Sequence, residues 1–572
     1  MNCWHGGKTL LKKGILCHNL MCRITFLQSP ILTPGTGWFP LAHMSEQAQN
    51  PGTGFPKASL PDWRDLADKA LRGKDFEDTL VRRTASGIAR GPLRTTVDDP
   101  HNAGTPGAFP FVRGINAKID PHRPWHITQS FSMADPAVAN AAILDDLDGG
   151  VSALLLYLDP AGKNGIAVHI RKDLQTVLAG VDLAIVPVLL QARPLNAAYA
   201  AMLVSLWQDM GLEHASGGLG FSPVGQTIRH GMDFDLLPER LNRTAAFARW
   251  AADHAPNVAT AIITSSLIHE AGGSDALELA FAAAGGISYF KVFREHGLSP
   301  DEAARAIMFS LSLDADVPLG IAKLRAARRL WARLMSACDV GEPASAMSIH
   351  VGTSKRMMSR LSPYTNVLRT STAAFAAASG GAQFISVEPY DLALGTHDAK
   401  ARRIARNIQI ILHEEVQVGR VIDPAGGAYA IEKLTDDLAE AAWAAFQEIE
   451  RQGGLIKAAQ SGWLAKTITA QREARLAAIK SGEVTILGVT DFLEDGERLP
   501  AALPSTPARA PAPTPTSPNV PDFPEDFTLQ GYLDAAHAGA KLLPMGQSDP
   551  NPAFAPTNFC APFEDERAGE EK

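Results

Sequence analysis

Residues 151–158 read VSALLLYL, an almost wholly apolar run of the length of one strand. Three similar runs follow, which are LAIVPVLL (183–190), ATAIITSS (259–266) and AQFISVEP (382–389). Between them lie Ala-rich amphipathic stretches such as Asp275–Ala284 and Ile321–Leu334, whose apolar spacing predicts helices. Short apolar strands that alternate with helices are typical of a parallel sheet covered on both faces.

The alternation extends over residues 125–482, and this length suits one particular architecture. A segment of about 350 residues is enough for eight strand–helix units closed into a barrel. A doubly wound open sheet is the alternative, but no GxGxxG pattern follows the first strand. We therefore expect an α/β protein built on a (β/α)8 TIM barrel.

The segments outside the barrel differ from it in composition. Residues 1–43 carry four Lys and Arg and no acidic residue, so they are either a targeting peptide or an upstream mis-start before Met44, and we expect them to be disordered. Residues 44–124 are expected to hold an N-terminal helix and then an extended arm rich in Pro, Gly and Asn. Residues 483–572 are interpreted as a Pro-rich linker (499–521), one short helix (529–543) and a frayed acidic tail.

Composition excludes several classes of protein. The net charge of −8 and the pI near 6.1 give no basic footprint for nucleic acid. No run of eighteen apolar residues is present, so we expect no membrane span. The five cysteines are scattered and odd in number, which favours a reducing compartment, and we expect a cytoplasmic protein. The chain has no CxxC or HExxH, so a zinc site is not expected.

Three histidines are candidates for chemistry from their position alone. His269, with Glu270, follows the run at 259–266, and His350 follows another strand-like stretch. The C-terminal ends of barrel strands are where active sites of this fold lie. His413 lies inside a helical pattern, next to Glu414. Any of these is more often structural than catalytic, so the residues alone predict a barrel without deciding its function.

Five ordered blocks carry a resemblance to a known family. They are Pro124–Gln129 (PWHITQ), Lys323–Trp331 (KLRAARRLW), His350–Arg369, Arg403–Asn407 (RIARN) and Arg420–Pro424 (RVIDP). In spacing and wording this set resembles the adenosylcobalamin-dependent acyl-CoA mutases, of which methylmalonyl-CoA mutase is the type. The last two blocks lie in Lys400–Thr435, where we predict a basic helix, a strand-like VGRVIDP and a Gly-rich turn.

The resemblance also implies where the active site would be and what it would need. In that family the CoA arm threads along the barrel axis, and the cofactor carries the radical chemistry. A Tyr after the PWTIRQ strand and a Tyr-His pair before Glu-Ala-Gly take part in catalysis. Here those three positions hold Ser130, Ser266 and Leu267, and Thr128 replaces the Arg of PWTIRQ. Leucine cannot donate a hydrogen bond to the substrate carbonyl, so that role is lost.

The C-terminal part departs further from the family. No Asp-x-His-x-x-Gly, whose His is the lower cobalt ligand in the family, follows the linker, and no complete cobalamin-binding domain does either. The chain thus resembles the small, non-catalytic subunit of heterodimeric members. This implies a large catalytic partner that carries adenosylcobalamin and binds the acyl-CoA substrate. It also implies that this chain has no catalytic, cofactor or metal residues of its own and is inactive alone.

Further expectations and alternatives follow from the same resemblance. The arm at 62–120 would wrap the partner, and a cobalamin-loading G-protein chaperone is a possible second partner. Alternatively, the chain is a catalytic mutase subunit whose cobalamin domain is a separate polypeptide. A third hypothesis is an unrelated barrel enzyme or a scaffold for that chaperone. Loss of the substrate-side residues at Ser130 and Leu267 favours the first interpretation.

Overall fold

The structure is a computed structural model that describes residues 59–98, 104–192, 196–212, 214–395, 397–494, 500, 523–524, 526–542 and 551–570. The prediction made for residues 1–43 lies outside this range, as does nearly all of the predicted linker at 499–521. The chain divides into two compact units, one that ends at Gly73 and one that begins at Lys74.

The first unit contributes one described helix, α1 (Leu60–Leu71). The Ser59 hydroxyl accepts the backbone N–H of Asp62, and the Asp62 carboxylate accepts the backbone N–H of Ser59. This reciprocal capping box satisfies two amides at the start of the helix. The predicted N-terminal helix is present, and none of its residues is buried within the chain.

The second unit contains a closed barrel of eight parallel strands, preceded by an antiparallel hairpin, β1 (Arg82–Arg83) and β2 (Ala89–Arg90). The barrel strands are β3 (His126–Phe131), β4 (Ala153–Leu158), β5 (Val188–Ala192), β6 (Gly217–Phe221), β7 (Val258–Thr264), β8 (Ile307–Leu313), β9 (Ser348–Thr353) and β10 (Phe384–Ser386). They follow one another around the barrel in sequence order, and β10 closes onto β3. The (β/α)8 TIM barrel is confirmed, and the open doubly wound sheet is excluded.

Helices surround the barrel and extend beyond it. They are α2 (Phe76–Leu80), α3 (Pro136–Asp148), α4 (Arg171–Val177), α5 (Asn196–Asp209), α6 (Pro223–His230), α7 (Leu237–His254), α8 (Ser266–Glu270), α9 (Asp275–Glu295), α10 (Pro300–Arg305), α11 (Val317–Ser336), α12 (Thr365–Ser379), α13 (Ala399–Glu414), α14 (Tyr429–Arg451), α15 (Leu455–Gln460), α16 (Trp463–Lys480), α17 (Leu529–His537) and α18 (Ala561–Glu570). The helices predicted at 275–284 and 321–334 lie within α9 and α11.

Apolar side chains pack against one another inside the barrel. Along β4, Leu154 and Leu156 face the surrounding helices, whereas Leu155 faces inward, as strand alternation requires. The inward apolar side chains form one buried cluster, composed of Ala153, Leu155, Leu189, Ala259, Ile262, Met308 and Phe384. The His126 ring stacks on Phe384 with centroids 4.8 Å apart, near the N-terminal ends of the strands. Apolar side chains therefore occupy the part of the axis along which the family's CoA arm would thread.

Helix α9 is long and apolar enough by composition to cross a membrane, but most of its residues are buried in the protein. It packs against α11 and α14. A Cβ at Gly285 would lie 2.9 Å from Ile263, and one at Gly286 would lie 2.5 Å from Trp331. The two glycines thus allow the close approach of a core helix.

Buried arginines on α11 hold the N-terminal arm through hydrogen bonds to its backbone and through a shared carboxylate. The fully buried Arg328 guanidinium donates to the carbonyl oxygens of Phe111 and Val112 at 2.8 and 2.9 Å. Arg325 pairs with Asp423, whose carboxylate also accepts from Arg113 at 2.9 Å. Residues 111–113 are therefore bound to this chain's own barrel, and the wrapping of a partner by the arm stays a prediction.

The prediction of a strand at VGRVIDP is wrong. Residues Val418–Arg420 form a 3-10 turn after α13, and no strand follows it before α14. Asp423 has a φ of 50°, a left-handed conformation that strands do not use. The turn places the Asp423 carboxylate against Arg325. The block is therefore an ion-pairing turn rather than a strand.

Candidate functional site at the barrel mouth

A small cavity lies at the C-terminal ends of the barrel strands and has a volume of about 130 Å³. Ser130 reaches it from the end of β3, and Ser266 and Leu267 reach it from α8, the short helix after β7. The three positions at which the resemblance places the family's catalytic side chains are thus brought together. Thr128 lies deeper in β3, is almost fully buried, and donates to the His126 carbonyl oxygen at 3.1 Å.

One part of the cavity wall is polar and uncharged. His350 on β9 lies between two hydroxyl groups, with Nδ1 3.0 Å from Ser310 Oγ and Nε2 2.9 Å from Ser386 Oγ. Burial lowers the pKa of His350 to about 4, so its ring is neutral near pH 7. Both ring nitrogens are engaged by serines, which leaves neither free to exchange a proton with a substrate.

The rim of the cavity carries charges that are bound to one another. Lys355 Nζ lies 3.2 Å from Glu388 Oε1, and Glu388 is the main cause of the raised pKa of Lys355. The Glu270 carboxylate accepts the backbone N–H groups of Lys355 and Arg356 at 3.1 to 3.2 Å. Glu270, a candidate from the sequence, therefore fixes the loop after β9.

His269 points away from the cavity into a buried ionic cluster. Its Nε2 lies 3.0 Å from Ser354 Oγ and 3.2 Å from Asp314 Oδ1. Burial and then Arg356 act to lower the pKa of His269, but Asp314 outweighs them and the pKa is raised. His269 is therefore a structural member of this cluster.

The same cluster has donor atoms of the kind that bind metals, but a side-chain cation already lies among them. Ligand atoms of His269, Asp275 and Glu278 lie within 4.8 Å of one another. The ammonium of Lys323 contacts Asp275 at 2.7 Å and Glu278 at 2.5 Å, and it is fully buried. A metal ion would have to displace this ammonium.

His413 lies far from the cavity, on α13. Its Nε2 donates to the Pro121 carbonyl oxygen at 3.0 Å, and its ring lies edge-on to Trp125. This histidine anchors the end of the arm and has no part in the site.

A C-terminal segment covers the mouth, which the sequence interpretation missed. The backbone N–H groups of Asn551, Thr557 and Phe559 donate to the carbonyl oxygens of Arg229, Glu270 and Arg356 at 2.7 to 3.0 Å. Phe554 and Pro556 form part of the cavity wall. The cover is continuous with α18.

Helix α18 is anchored by Glu564, which is completely buried. Its carboxylate accepts from the Ser359 hydroxyl at 2.7 Å and from the Arg360 guanidinium at 2.9 Å. The prediction of a frayed acidic tail is therefore wrong for the residues up to 570, which end in helix α18. One signal was available, because Asn558 accepts the Cys560 and Ala561 amides just before a proline, a typical helix start.

Comparison with known proteins agrees with this arrangement. The model of the methylmalonyl-CoA mutase family matches residues 84–509. A methylmalonyl-CoA mutase small subunit of Streptomyces virginiae is 38% identical over 447 residues, 77% of this chain and 71% of that protein. The small subunit of Propionibacterium freudenreichii subsp. shermanii is 35% identical over 80% of this chain and 72% of its own length. The mitochondrial methylmalonyl-CoA mutase of Bos taurus is 31% identical over 76% of this chain and 60% of its own length.

The family match spans the barrel and more than half of the chain, and the relatives named as small subunits are matched over more than two thirds of their length. On this evidence the chain belongs to the methylmalonyl-CoA mutase family.

Proposed function

We propose that this chain is the non-catalytic small subunit of a heterodimeric methylmalonyl-CoA mutase. Its role is to support a large subunit that interconverts methylmalonyl-CoA and succinyl-CoA. One observation carries the proposal: the cavity where the family's catalytic side chains would meet is lined instead by Ser130, Ser266 and Leu267. The names of the relatives from Streptomyces and Propionibacterium support the pairing with a large subunit.

The size of the cavity supports an inactive mouth. A volume of about 130 Å³ is below the roughly 300–1,000 Å³ of pockets that bind small-molecule ligands. Phe554 and Pro556 close it from the C-terminal side. The inward cluster around Leu155, Met308 and Phe384 closes the axis from the other side. An acyl-CoA would have to displace both, so we place substrate binding on the large subunit.

The residues present do not fit adenosylcobalamin, the cofactor that the family implies. The covering segment lies over the mouth, and both nitrogens of His350 are taken by serines. We therefore place the cofactor on the large subunit. The letters of the cobalt-ligand pattern do occur once in the chain, at residues 99–104 (DPHNAG). That stretch precedes the barrel, whereas the family's motif follows the linker.

The alternative, a catalytic chain with its cobalamin domain on another polypeptide, is less well supported. Such a chain would need an open mouth and its substrate-side residues, and Leu267 and the covering segment argue against both. The cobalamin-loading chaperone and the cytoplasmic location remain proposals that follow from the family and from the scattered cysteines.

The test is co-expression of this chain with the large mutase subunit of the same genome. The purified complex and each chain alone are assayed for conversion of methylmalonyl-CoA to succinyl-CoA with adenosylcobalamin. We expect a one-to-one complex that is active and no turnover by this chain alone. Turnover by this chain, alone or with a small cobalamin-binding polypeptide, would refute the proposal.

A further inference from the structure

A second cavity lies beside the barrel, next to the C-terminal end of β8, and has a volume of about 370 Å³. It is bounded by the β1–β2 hairpin, the loop after β8, and parts of α12 and α16, with Phe559 from the covering segment. It shares no lining residue with the mouth cavity. It is therefore a separate site, and its volume is within the range of small-molecule pockets.

The carboxylates in the wall of this cavity already have cationic partners. Asp314 accepts from the Arg356 guanidinium at 2.6 Å, and Asp316 accepts from Arg90 at 2.5 Å. Asp275 accepts from Lys323 at 2.7 Å. The three acidic groups are thus neutralised within the protein.

Four further arginines line the same cavity, and none has a carboxylate partner within the described residues. They are Arg82, Arg83, Arg369 and Arg475. Arg369 donates to Asn366 Oδ1 and to the Leu487 carbonyl oxygen, both at 2.7 Å and both uncharged acceptors. Arg83 reaches only the Gly87 carbonyl oxygen, at 3.4 Å. Six arginines and three aspartates line the cavity, which therefore carries an excess of three positive charges.

Arg475 is the most buried of the four arginines that have no ion-pair partner. Its Nε is buried and has no hydrogen-bond partner in the described structure. Its guanidinium lies over the Phe559 ring at 5.3 Å from the centroid, and that of Arg356 lies over the same ring at 5.6 Å. Burial, followed by the nearby Arg356, lowers the pKa of Arg475, and burial lowers that of Arg369. Asp314, Asp275 and Asp316 act in the opposite direction on Arg475 but do not cancel these effects, so the cations of the lining are not fully balanced within the cavity.

We propose that this cavity binds a small molecule with adjoining phosphate groups, of the diphosphate class. A diphosphate offers several acceptor oxygens and a negative charge of about three, which matches the excess positive charge of the cavity lining. Guanidinium forks match phosphate oxygens in pairs, which is the chemistry that the four side chains offer. Free pyrophosphate and the diphosphate of a nucleotide share this chemistry. The proposal does not depend on the role of this chain in a mutase.

The experiment is calorimetric titration of the full-length chain with pyrophosphate and, separately, with ADP at physiological salt. The variants are Arg475→Gln, which removes the buried guanidinium, and Arg82→Gln, which alters an exposed residue and leaves the core intact. The matched control is Arg333→Gln, an exposed residue on α11 outside the cavity. We expect saturable binding that each cavity variant weakens about tenfold or more, as loss of a charged hydrogen bond predicts, and that the control leaves unchanged.

Each outcome decides for or against the site. Tighter binding of ADP than of pyrophosphate identifies a nucleotide, and the reverse identifies a free diphosphate, and both support the proposal. No binding of either at millimolar concentration would overturn it, as would equal weakening by Arg333→Gln. If Arg475→Gln does not fold, unchanged binding by Arg82→Gln would count against the site. Mutase activity of the complex plays no part in this readout.

Discussion

The ionic clusters around the barrel and the cavity at its mouth use polar residues in opposite ways. In the cluster at α11, Lys323 lies between the carboxylates of Asp275 and Glu278 and is ion-paired with both. At the mouth, His350 is neutral and lies between Ser310 and Ser386. The clusters depend on charge to hold the fold, whereas the histidine in the wall of the cavity is uncharged near pH 7.

The difference agrees with the sequence blocks that carry the family resemblance. KLRAARRLW supplies Lys323, Arg325 and Arg328, each fully buried and each bonded to another segment. The positions that depart from the family, Ser130 and Leu267, lie at the mouth. The family likeness thus lies in residues that stabilise the barrel and its arm, as a supporting subunit requires.

Replacement of Lys323 by Met removes the cation from the ionic cluster. It should lower the free energy of unfolding more than any other change proposed here. It leaves the carboxylates of Asp275 and Glu278 buried without their cation. Loss of one partner of a buried ion pair costs about 3–5 kcal/mol. The measurement is urea unfolding followed by circular dichroism. Arg333→Gln, an exposed change on the same helix, should shift the free energy of unfolding by less than about 0.5 kcal/mol. Equal stability of K323M and the wild type would show that the cluster is not ionised.

Replacement of His350 by Asn tests whether the histidine at the barrel mouth is neutral in the folded protein. Because the pKa of His350 falls from 6.5 in the unfolded chain to about 4 in the fold, its contribution to stability is complete above pH 6.5. That contribution is lost as the pH falls toward 4, and it amounts to about 3 kcal/mol. H350N should lack this part of the acid slope while keeping hydrogen bonds to the serines.

The measurement is the free energy of unfolding of both proteins from pH 7 to 4. His269 has a raised pKa, so its contribution has the opposite sign and is lost as the pH rises. It is present in both proteins and cancels in the difference. Parallel curves for H350N and the wild type would mean that His350 is not neutral in the fold.

Replacement of Glu564 by Gln tests whether the mouth is held closed. The Gln keeps the shape but loses the charge that binds Ser359 and the Arg360 guanidinium, at a cost of about 1.5–3 kcal/mol. We expect faster hydrogen exchange at the Thr557 amide, which is bonded to the Glu270 carbonyl oxygen. Amides of the distant helix α5 serve as the internal control. Unchanged exchange at Thr557 would show that the cover does not depend on this anchor.

Patterns along the sequence were sufficient to predict the barrel, because its strands and helices are indicated by residues that lie close together in the chain. The apolar runs that became β4 and β7, and the amphipathic stretches within α9 and α11, can be recognised without knowledge of distant residues. The covering segment could not be found in this way. Glu564 is anchored by residues that lie about 205 positions earlier in the chain, and nothing in the acidic tail itself indicates them.

Turn conformations and ion-pair partners are a second kind of feature that the sequence could not predict. VGRVIDP has the apolar content of a strand, but the left-handed Asp423 and its pairing with Arg325 and Arg113 exist only in the fold. The histidines show the same limit, because position after a strand predicted both His269 and His350. Their surroundings, an ionic cluster for one and two serines for the other, then gave them opposite pKa shifts.

Replacement of Ser130 by Ala should have the smallest effect and sharpens the comparison most. Ser130 lines the mouth where the family has a catalytic Tyr, and its hydroxyl has no hydrogen bond to any described residue. Loss of that oxygen should change the free energy of unfolding by less than about 0.5 kcal/mol. The active complex built with S130A should convert methylmalonyl-CoA at the wild-type rate, since the chemistry is placed on the large subunit. The control is Ala at the Tyr of the large subunit that aligns with Ser130, which should abolish turnover. A large loss of rate with S130A would show that the mouth cavity of this chain takes part in catalysis.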